Sequence, residues 1–127
     1  MRDRGSITVF VVGLVLSFLM SAGLALDGGR LVSARVAVAD HAENAARVGA
    51  QQVGQMRSGA RVLQGAPARE AALQYLRQQG VGGEVVVGIR TVTVTTRMTQ
   101  ATTFLTLVGI DQRTVSATRT AEITSSS

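Results

Sequence analysis

The feature that most constrains this chain is an uncharged, apolar run near its beginning. Residues Ile7 to Leu26 contain no Asp, Glu, Lys or Arg, and most of them are Leu, Ile, Val or Phe. A helix of this length, rising about 1.5 Å per residue, spans about 30 Å, which is the hydrocarbon thickness of a bilayer. The run therefore predicts a transmembrane helix over residues 7–26, preceded by a short basic N-terminus over residues 1–6.

A cleaved secretory signal is the main alternative to a retained anchor. Arg2 and Arg4 provide a basic start, and residues 23–25 (Gly-Leu-Ala) resemble a small-x-small cleavage site. The apolar run is longer than a usual signal core, which favours retention. Arg30 and Arg35 lie close behind the run, but a signal-anchor of this form exports the segment on its C-terminal side. We therefore expect a cytoplasmic N-terminus and an extracytoplasmic C-terminal part.

Small side chains recur every fourth residue within the apolar run. This spacing places them on one stripe of the helix, where the backbone of a second membrane helix can approach closely. Small residues are common in membrane spans, so an accidental stripe is the alternative. The predicted membrane packing face consists of Gly13, Ser17, Ser21 and Ala25.

The helical pattern continues beyond the membrane run. A juxtamembrane motif, Asp27-Gly28-Gly29-Arg30, allows an i,i+3 ion pair and a close approach at its glycines. From Leu31 to about Met56 the spacing predicts a long amphipathic helix with an unusually small apolar face. Such side chains bury little area each, so this face favours close backbone contact, either with neighbouring subunits or with the chain's own sheet. The predicted face comprises Ala42, Ala45, Ala46, Gly49, Ala50 and Val53.

The remaining sequence predicts a short helix and a small sheet. Pro67 suits the first turn of a helix over residues 68–79, and Gly80 suits its end. Alternating β-branched residues predict about three antiparallel strands, near residues 84–87, 91–97 and 114–123. A bulky apolar segment between the last two strands is predicted to complete the core. The predicted core residues are Val92, Val94, Phe104, Leu105, Leu107 and Ile110.

The predicted fold class is therefore α+β: a single N-terminal transmembrane helix continues into a long amphipathic helix, then a short helix and a small antiparallel sheet. Residues 27–65 are expected to form a juxtamembrane Ala-rich helix and linker. Residues 66–127 are expected to form a small extracytoplasmic α+β module that ends in a frayed tail at residues 125–127.

The composition argues against catalysis and nucleic-acid binding. The chain has no cysteine, which excludes disulfides and thiolate metal sites, and its one histidine, His41, lies on the predicted polar side of the long helix. Its positive side chains are all Arg and are scattered among acidic residues, with no Trp and one Tyr for base stacking. We predict a non-enzyme with no metal, cofactor, small-molecule substrate or nucleic-acid partner.

Several segments, taken in order, resemble the TadE/TadG-like proteins of the Flp, or tight-adherence, pilus machinery. They are RGSITVF at residues 4–10, GLALDGGR at residues 23–30 and ADHAENAARVGA at residues 39–50. Residues 103–110 and 114–118 look like the C-terminal half of the short members. This resemblance implies a single-span, minor-pilin-like accessory subunit in the cytoplasmic membrane of a bacterium. Its implied partners are other pilin-like or pilus-assembly membrane proteins, or a second copy of itself.

The resemblance also bears on N-terminal processing. Family members cut by a prepilin peptidase carry a cleavable Gly and a Glu at the fifth mature position, and counting from Gly5 that position here is Phe10. The resemblance therefore implies either an uncleaved anchor or processing by other rules. An alternative function, independent of the resemblance, is an envelope-anchored binding or sensory module that recognises an extracytoplasmic ligand or protein.

Overall fold

The structure, a computed structural model, describes residues 3–55 and 61–123, with side chains described for residues 5–52 and 63–123. Arg2 of the predicted basic N-terminus and the predicted tail at residues 125–127 lie outside the described residues. The side chain of Arg4 lies outside them as well.

One helix accounts for the N-terminal part of the fold. Helix α1 runs from Asp3 to Ala50 without interruption, including through Gly28 and Gly29. It contains no proline, the residue that would break it most strongly. At about 1.5 Å per residue its 48 residues extend over about 72 Å, more than twice the hydrocarbon thickness of a bilayer.

Helix α1 ends earlier than the sequence pattern predicts. Its last residue is Ala50, and Val53 begins strand β1 (Val53–Gln55), which pairs with strand β2 (Arg61–Leu63). The prediction that Val53 lies on the apolar face of the helix was wrong. Gly54 lowers helical stability by about 1 kcal/mol relative to Ala, and β-branched Val53 suits the strand in which it pairs with Leu63.

A second helix leads into the sheet. Helix α2 (Gly65–Gln79) ends at Gly80, whose φ of 67° is the left-handed conformation that glycine adopts most easily. Three antiparallel strands then come in chain order: β3 (Gly82–Val87), β4 (Thr91–Ala101) and β5 (Gln112–Glu122). This architecture confirms the predicted α+β fold class.

The core lies between one face of the sheet and the two helices. Between residues 23 and 49, helix α1 contributes one continuous stripe of buried residues at helical spacing. The stripe faces the long β4–β5 hairpin, and near the C-terminal end of α1 it also faces α2. The buried positions of this stripe are Gly23, Asp27, Ala34, Val38, Ala42, Ala45, Ala46 and Gly49. Helix α1 therefore packs against the rest of the module along the whole of this stripe.

The predicted core is only partly correct. Val92 and Val94 are fully buried, but the side chain of Phe104 is 40% exposed and that of Leu107 is 79% exposed. Leu105 and Ile110 are half-buried. Strands β4 and β5 pair along their whole length, from Thr91↔Glu122 to Ala101↔Gln112, so the segment between them projects beyond the end of the sheet. The sheet face is already covered by the helices, and this segment has no core left to fill.

Candidate functional site

The connection between β4 and β5, residues 102–111, is a structured loop that we call the exit loop. The Thr102 N–H donates to the Asp111 carbonyl at 3.0 Å, and the Thr102 hydroxyl donates to the Ile110 carbonyl, so the loop is closed at its base. A 3₁₀ turn over Leu105–Val108 forms its tip and ends at Gly109, whose φ is 83°. These internal hydrogen bonds define the conformation of the loop.

The buried carboxylate of Asp27 fixes the exit loop to helix α1. Its Oδ2 accepts hydrogen bonds from the N–H groups of Phe104 and Leu105, each at 2.8 Å, and its Oδ1 accepts one from the Thr103 N–H at 3.1 Å. The first N–H groups of a helical turn have no partner within the turn and favour a negative charge. Asp27 therefore caps the 3₁₀ turn from a different element, about 77 residues earlier in the chain.

Arg30 completes the charge balance of this contact. Its Nη1 lies 4.0 Å from Asp27 Oδ1 and donates to the Thr103 hydroxyl at 2.7 Å. Burial desolvates the Asp27 carboxylate and acts to raise its pKa, but the backbone hydrogen bonds from the exit loop and the Arg30 charge outweigh this effect. The net result is a pKa below the ordinary value, so Asp27 is an anion at neutral pH.

Gly23 lies one helical turn before Asp27 on the same face of α1. A Cβ at this position would lie 2.9 Å from the Phe104 Cβ and would overlap the Phe104 ring. The close packing of Phe104 on α1 therefore requires glycine at position 23. Since Gly23 belongs to the uncharged run of residues 7–26, the Phe104 ring contacts α1 within the predicted membrane span.

The charged residues and the glycines of the juxtamembrane motif differ in their contacts. Asp27 and Arg30 bond to the exit loop, whereas a Cβ at Gly28 or Gly29 would meet nothing within 4 Å among the described residues. The described fold therefore does not require these two glycines for packing. Helix α1 is also continuous through them.

The predicted membrane packing face is exposed along its length, as is every residue from Gly5 to Ala22. The Ser17 hydroxyl donates to the Gly13 carbonyl and the Ser21 hydroxyl to the Ser17 carbonyl, each at 2.8 Å. Both hydroxyls are thus satisfied within the helix, as an apolar environment requires. Ala25 and Gly13 complete this stripe, and its role in contacting a second helix stays a prediction.

The Ala-rich face of α1 is occupied by the chain itself. Its members from Ala42 to Gly49 are buried in the core with α2 and the sheet, and Ala50 packs against the same core. A Cβ at Gly49 would lie 3.0 Å from the Ala68 carbonyl oxygen and from Val92 Cγ1. This close approach corresponds to the interpretation in which the helix covers its own sheet.

His41 is half-buried and its ring lies 6.4 Å from the Tyr75 ring of α2. Its Nδ1 has no hydrogen-bond partner among the described residues. In the same part of the chain, no three His, Asp or Glu side chains are grouped closely enough to hold a metal ion. His41 therefore packs at the α1–α2 contact instead of lying on a solvated helix face as predicted.

Comparison with known proteins shows a family resemblance for the N-terminal part of the chain. The model of the Flp pilus-assembly TadE/G-like family matches residues 5–52, which covers α1 from Gly5 to its end and the two residues after it. Residues 5–52 are therefore similar to this family. The match confirms the predicted resemblance over these residues and connects the chain to Flp pilus assembly, whereas the resemblance at 103–110 and 114–118 lies outside it.

The matched segment contributes Gly23, Asp27 and Arg30 to the contact described above, and the exit loop comes from the unmatched remainder of the chain. No curated protein and no solved structure matches the chain. Among the described residues, α1 is the one helix that is long and apolar enough to cross a membrane, judged by length and composition.

Sequence reasoning identified Asp27 and Arg30 as a motif but missed their partner. It interpreted Gly23 as part of a cleavage-like pattern and assigned Phe104 to the core of the sheet. A signal for the exit loop was present in the strands: the alternation of β4 and β5 extends far enough to leave ten residues between them, more than a hairpin needs.

Proposed function

We propose that this chain is a membrane-anchored, minor-pilin-like accessory subunit in the assembly of a Flp-type pilus or a related secretion system. The observation that carries the proposal is the single helix α1, which lies almost entirely within the matched residues 5–52. Its first half is mostly apolar and exposed, and one face of its second half packs in the core of the module. Because the apolar segment and the module share one continuous helix, a contact that moves or rotates the helix in the membrane would also move the module.

The proposed location is the cytoplasmic membrane of a bacterium, with one span, a cytoplasmic N-terminus and an extracytoplasmic module. The absence of charge from Ile7 to Leu26 and the exposure of every residue from Gly5 to Ala22 support the span. A cysteine introduced at Asn44, which is exposed on the module side, tests the orientation. An impermeant maleimide should label it in intact spheroplasts, and labelling only after lysis would reverse the orientation.

The proposed mode of action is lateral contact between helices in the membrane and protein contact outside it, without catalysis. The stripe of Gly13, Ser17, Ser21 and Ala25 supports the first contact, because no other described segment covers it and its hydroxyls are satisfied within the helix. The expected partners are other pilin-like or pilus-assembly membrane proteins, or a second copy of the chain.

Deletion and complementation in a strain that makes Flp-type pili test this role. Deletion of the gene should reduce surface filaments seen by electron microscopy, and the wild-type gene should restore them. Gly13→Leu should restore fewer filaments, because it fills the stripe at a position where the described fold leaves open space. Val15→Leu, on the opposite side of the same helix, is the matched control and should restore filaments fully.

Unchanged piliation after deletion would refute the proposed function. The same result, combined with tight binding of an envelope glycan or protein to the detergent-solubilised chain, would favour the binding or sensory module.

A further inference from the structure

The exit loop is longer and more apolar than its place in the fold requires. Strands β4 and β5 pair up to Ala101↔Gln112, and two to five residues suffice to close such a hairpin. Ten residues are used, and three of their large apolar side chains are exposed: Phe104 by 40%, Leu107 by 79% and Val108 by 68%. Clustered exposure of this kind marks a surface that contacts something apolar.

The level of the loop on helix α1 indicates what it contacts. Phe104 packs on Gly23, which lies three residues, or about 4.5 Å, before the end of the uncharged run at Leu26. Asp27 and Arg30, which bind residues 103–105 of the loop, come within four residues after the end of that run. The loop thus spans the boundary between the apolar run and the first charged residues, where a bilayer passes from acyl chains to headgroups.

The geometry of the 3₁₀ turn places a second apolar side chain on the side of Phe104. The Leu107 N–H donates to the Phe104 carbonyl at 3.1 Å, which closes a turn of three residues, and residues three apart eclipse one another in such a turn. Leu107 is therefore on the same side of the turn as the ring that contacts Gly23. Val108 is next to it at the tip, and no residue of the turn is buried.

We infer that Leu107 and Val108 at the tip of the exit loop, together with the adjoining side chain of Phe104, insert into the interfacial region of the lipid bilayer beside helix α1. This inference rests on the membrane anchoring included in the proposed function. The bilayer is the occupant that the structure favours, because the tip is continuous with the apolar surface of the span. The loop then gives the module a second point of attachment, so that the module is held at a defined height and angle on the membrane.

Tryptophan fluorescence in the full chain, reconstituted in phosphatidylcholine vesicles with brominated acyl chains, tests this inference. The chain has no native Trp, so each introduced one is the sole reporter. Leu107→Trp reports on the tip, and Val108→Trp is a second variant at the same site. Ile89→Trp is the matched control, because Ile89 is 75% exposed in the turn at the opposite end of β4. Phe18→Trp, within the span, reports on anchoring.

The emission maxima of Leu107→Trp and Val108→Trp should be blue-shifted relative to that of Ile89→Trp. Bromine placed near the headgroups should quench their fluorescence. Bromine placed deeper in the acyl chains should quench the fluorescence of Phe18→Trp. Quenching of Phe18→Trp with both tip variants behaving like Ile89→Trp would overturn the inference and leave the anchoring intact. Loss of quenching at all of these positions would refute the anchoring as well. Quenching of the tip variants that falls as the protein-to-lipid ratio rises would assign the tip to a second copy and overturn the inference.

Discussion

The same substitution should have opposite effects at two glycines of helix α1, the exposed Gly29 and the buried Gly49. Gly→Ala in the interior of a helix gains about 0.8–1.0 kcal/mol in helix propensity. At Gly29 a Cβ meets nothing within 4 Å among the described residues, so Gly29→Ala should realise that gain. At Gly49 the Cβ would lie 3.0 Å from the Ala68 carbonyl oxygen, 3.0 Å from Val92 Cγ1 and 3.4 Å from Ala72 Cβ.

The neighbours of Gly49 have little freedom to move. The Ala68 oxygen belongs to the backbone of α2, and Val92 is a β-branched side chain that is fully buried. Overpacking of a core costs about 1–3 kcal/mol. The steric cost therefore exceeds the propensity gain, and Gly49→Ala should destabilise the protein by about 1 kcal/mol. The two variants should differ by about 2 kcal/mol in the free energy of unfolding.

Urea unfolding of the full chain in detergent micelles, followed by circular dichroism, measures this difference. The midpoint should rise for Gly29→Ala and fall for Gly49→Ala, with an unchanged slope in both cases. A Gly49→Ala variant as stable as Gly29→Ala would contradict the reasoning, because it would mean that α1 does not pack closely on α2 and β4.

Three further predictions concern the exit loop and the sheet. Asp27→Asn should accelerate hydrogen exchange of the Phe104 amide measured by NMR, because an uncharged amide cannot accept three N–H bonds. In the wild-type chain the pKa of Asp27 is lowered, so the protection of this amide relative to its intrinsic exchange rate should persist as the pH falls through the ordinary carboxyl range near 4. It should be lost only as the pH falls through the lowered pKa, and a protection factor that does not change with pH would contradict this. Gly83→Ala should lower the urea midpoint by the equivalent of about 1–3 kcal/mol, because its Cβ would lie 2.9 Å from a β4 carbonyl oxygen. Gly82→Ala is the control and should have a much smaller effect, because the nearest atom to its Cβ would be 3.9 Å away. Thr96→Val should cost about 1 kcal/mol in the same assay by removing a buried hydrogen bond to α1, and an unchanged midpoint would show that this bond contributes nothing.

Local patterns predicted the elements of this fold well, because each is set by nearby residues. The uncharged run, the glycine that ends α2 and the alternation along β4 all depend on backbone geometry or on burial of one face. Val92 and Val94 belong to such an alternating strand, and their burial results from it. The end of α1 was placed too late because Gln51 and Gln52 are compatible with a helix, while the pairing partner of Val53 is ten residues away.

The contact at the membrane exit could not be predicted in this way, because its two sides are far apart in sequence. Asp27 and Phe104 are separated by 77 residues, and their contact depends on the lengths of β4 and β5. Hydrophobicity alone assigned Phe104 and Leu107 to the core. Exposed and buried apolar residues have the same hydrophobicity, and only their position in the fold separates them.

Helix α1 is one continuous helix that connects the module directly to the predicted membrane span. The chain has no cysteine, so spin labels at cysteines introduced in place of Phe18 and Asn44, both exposed, report on this helix alone. For an unbroken helix their Cα atoms are about 39 Å apart. Pulsed electron paramagnetic resonance of the chain in vesicles should give one narrow distance distribution near that value. A broad distribution, or one centred well below that value, would show that the helix bends between Phe18 and Asn44 and would contradict a continuous α1.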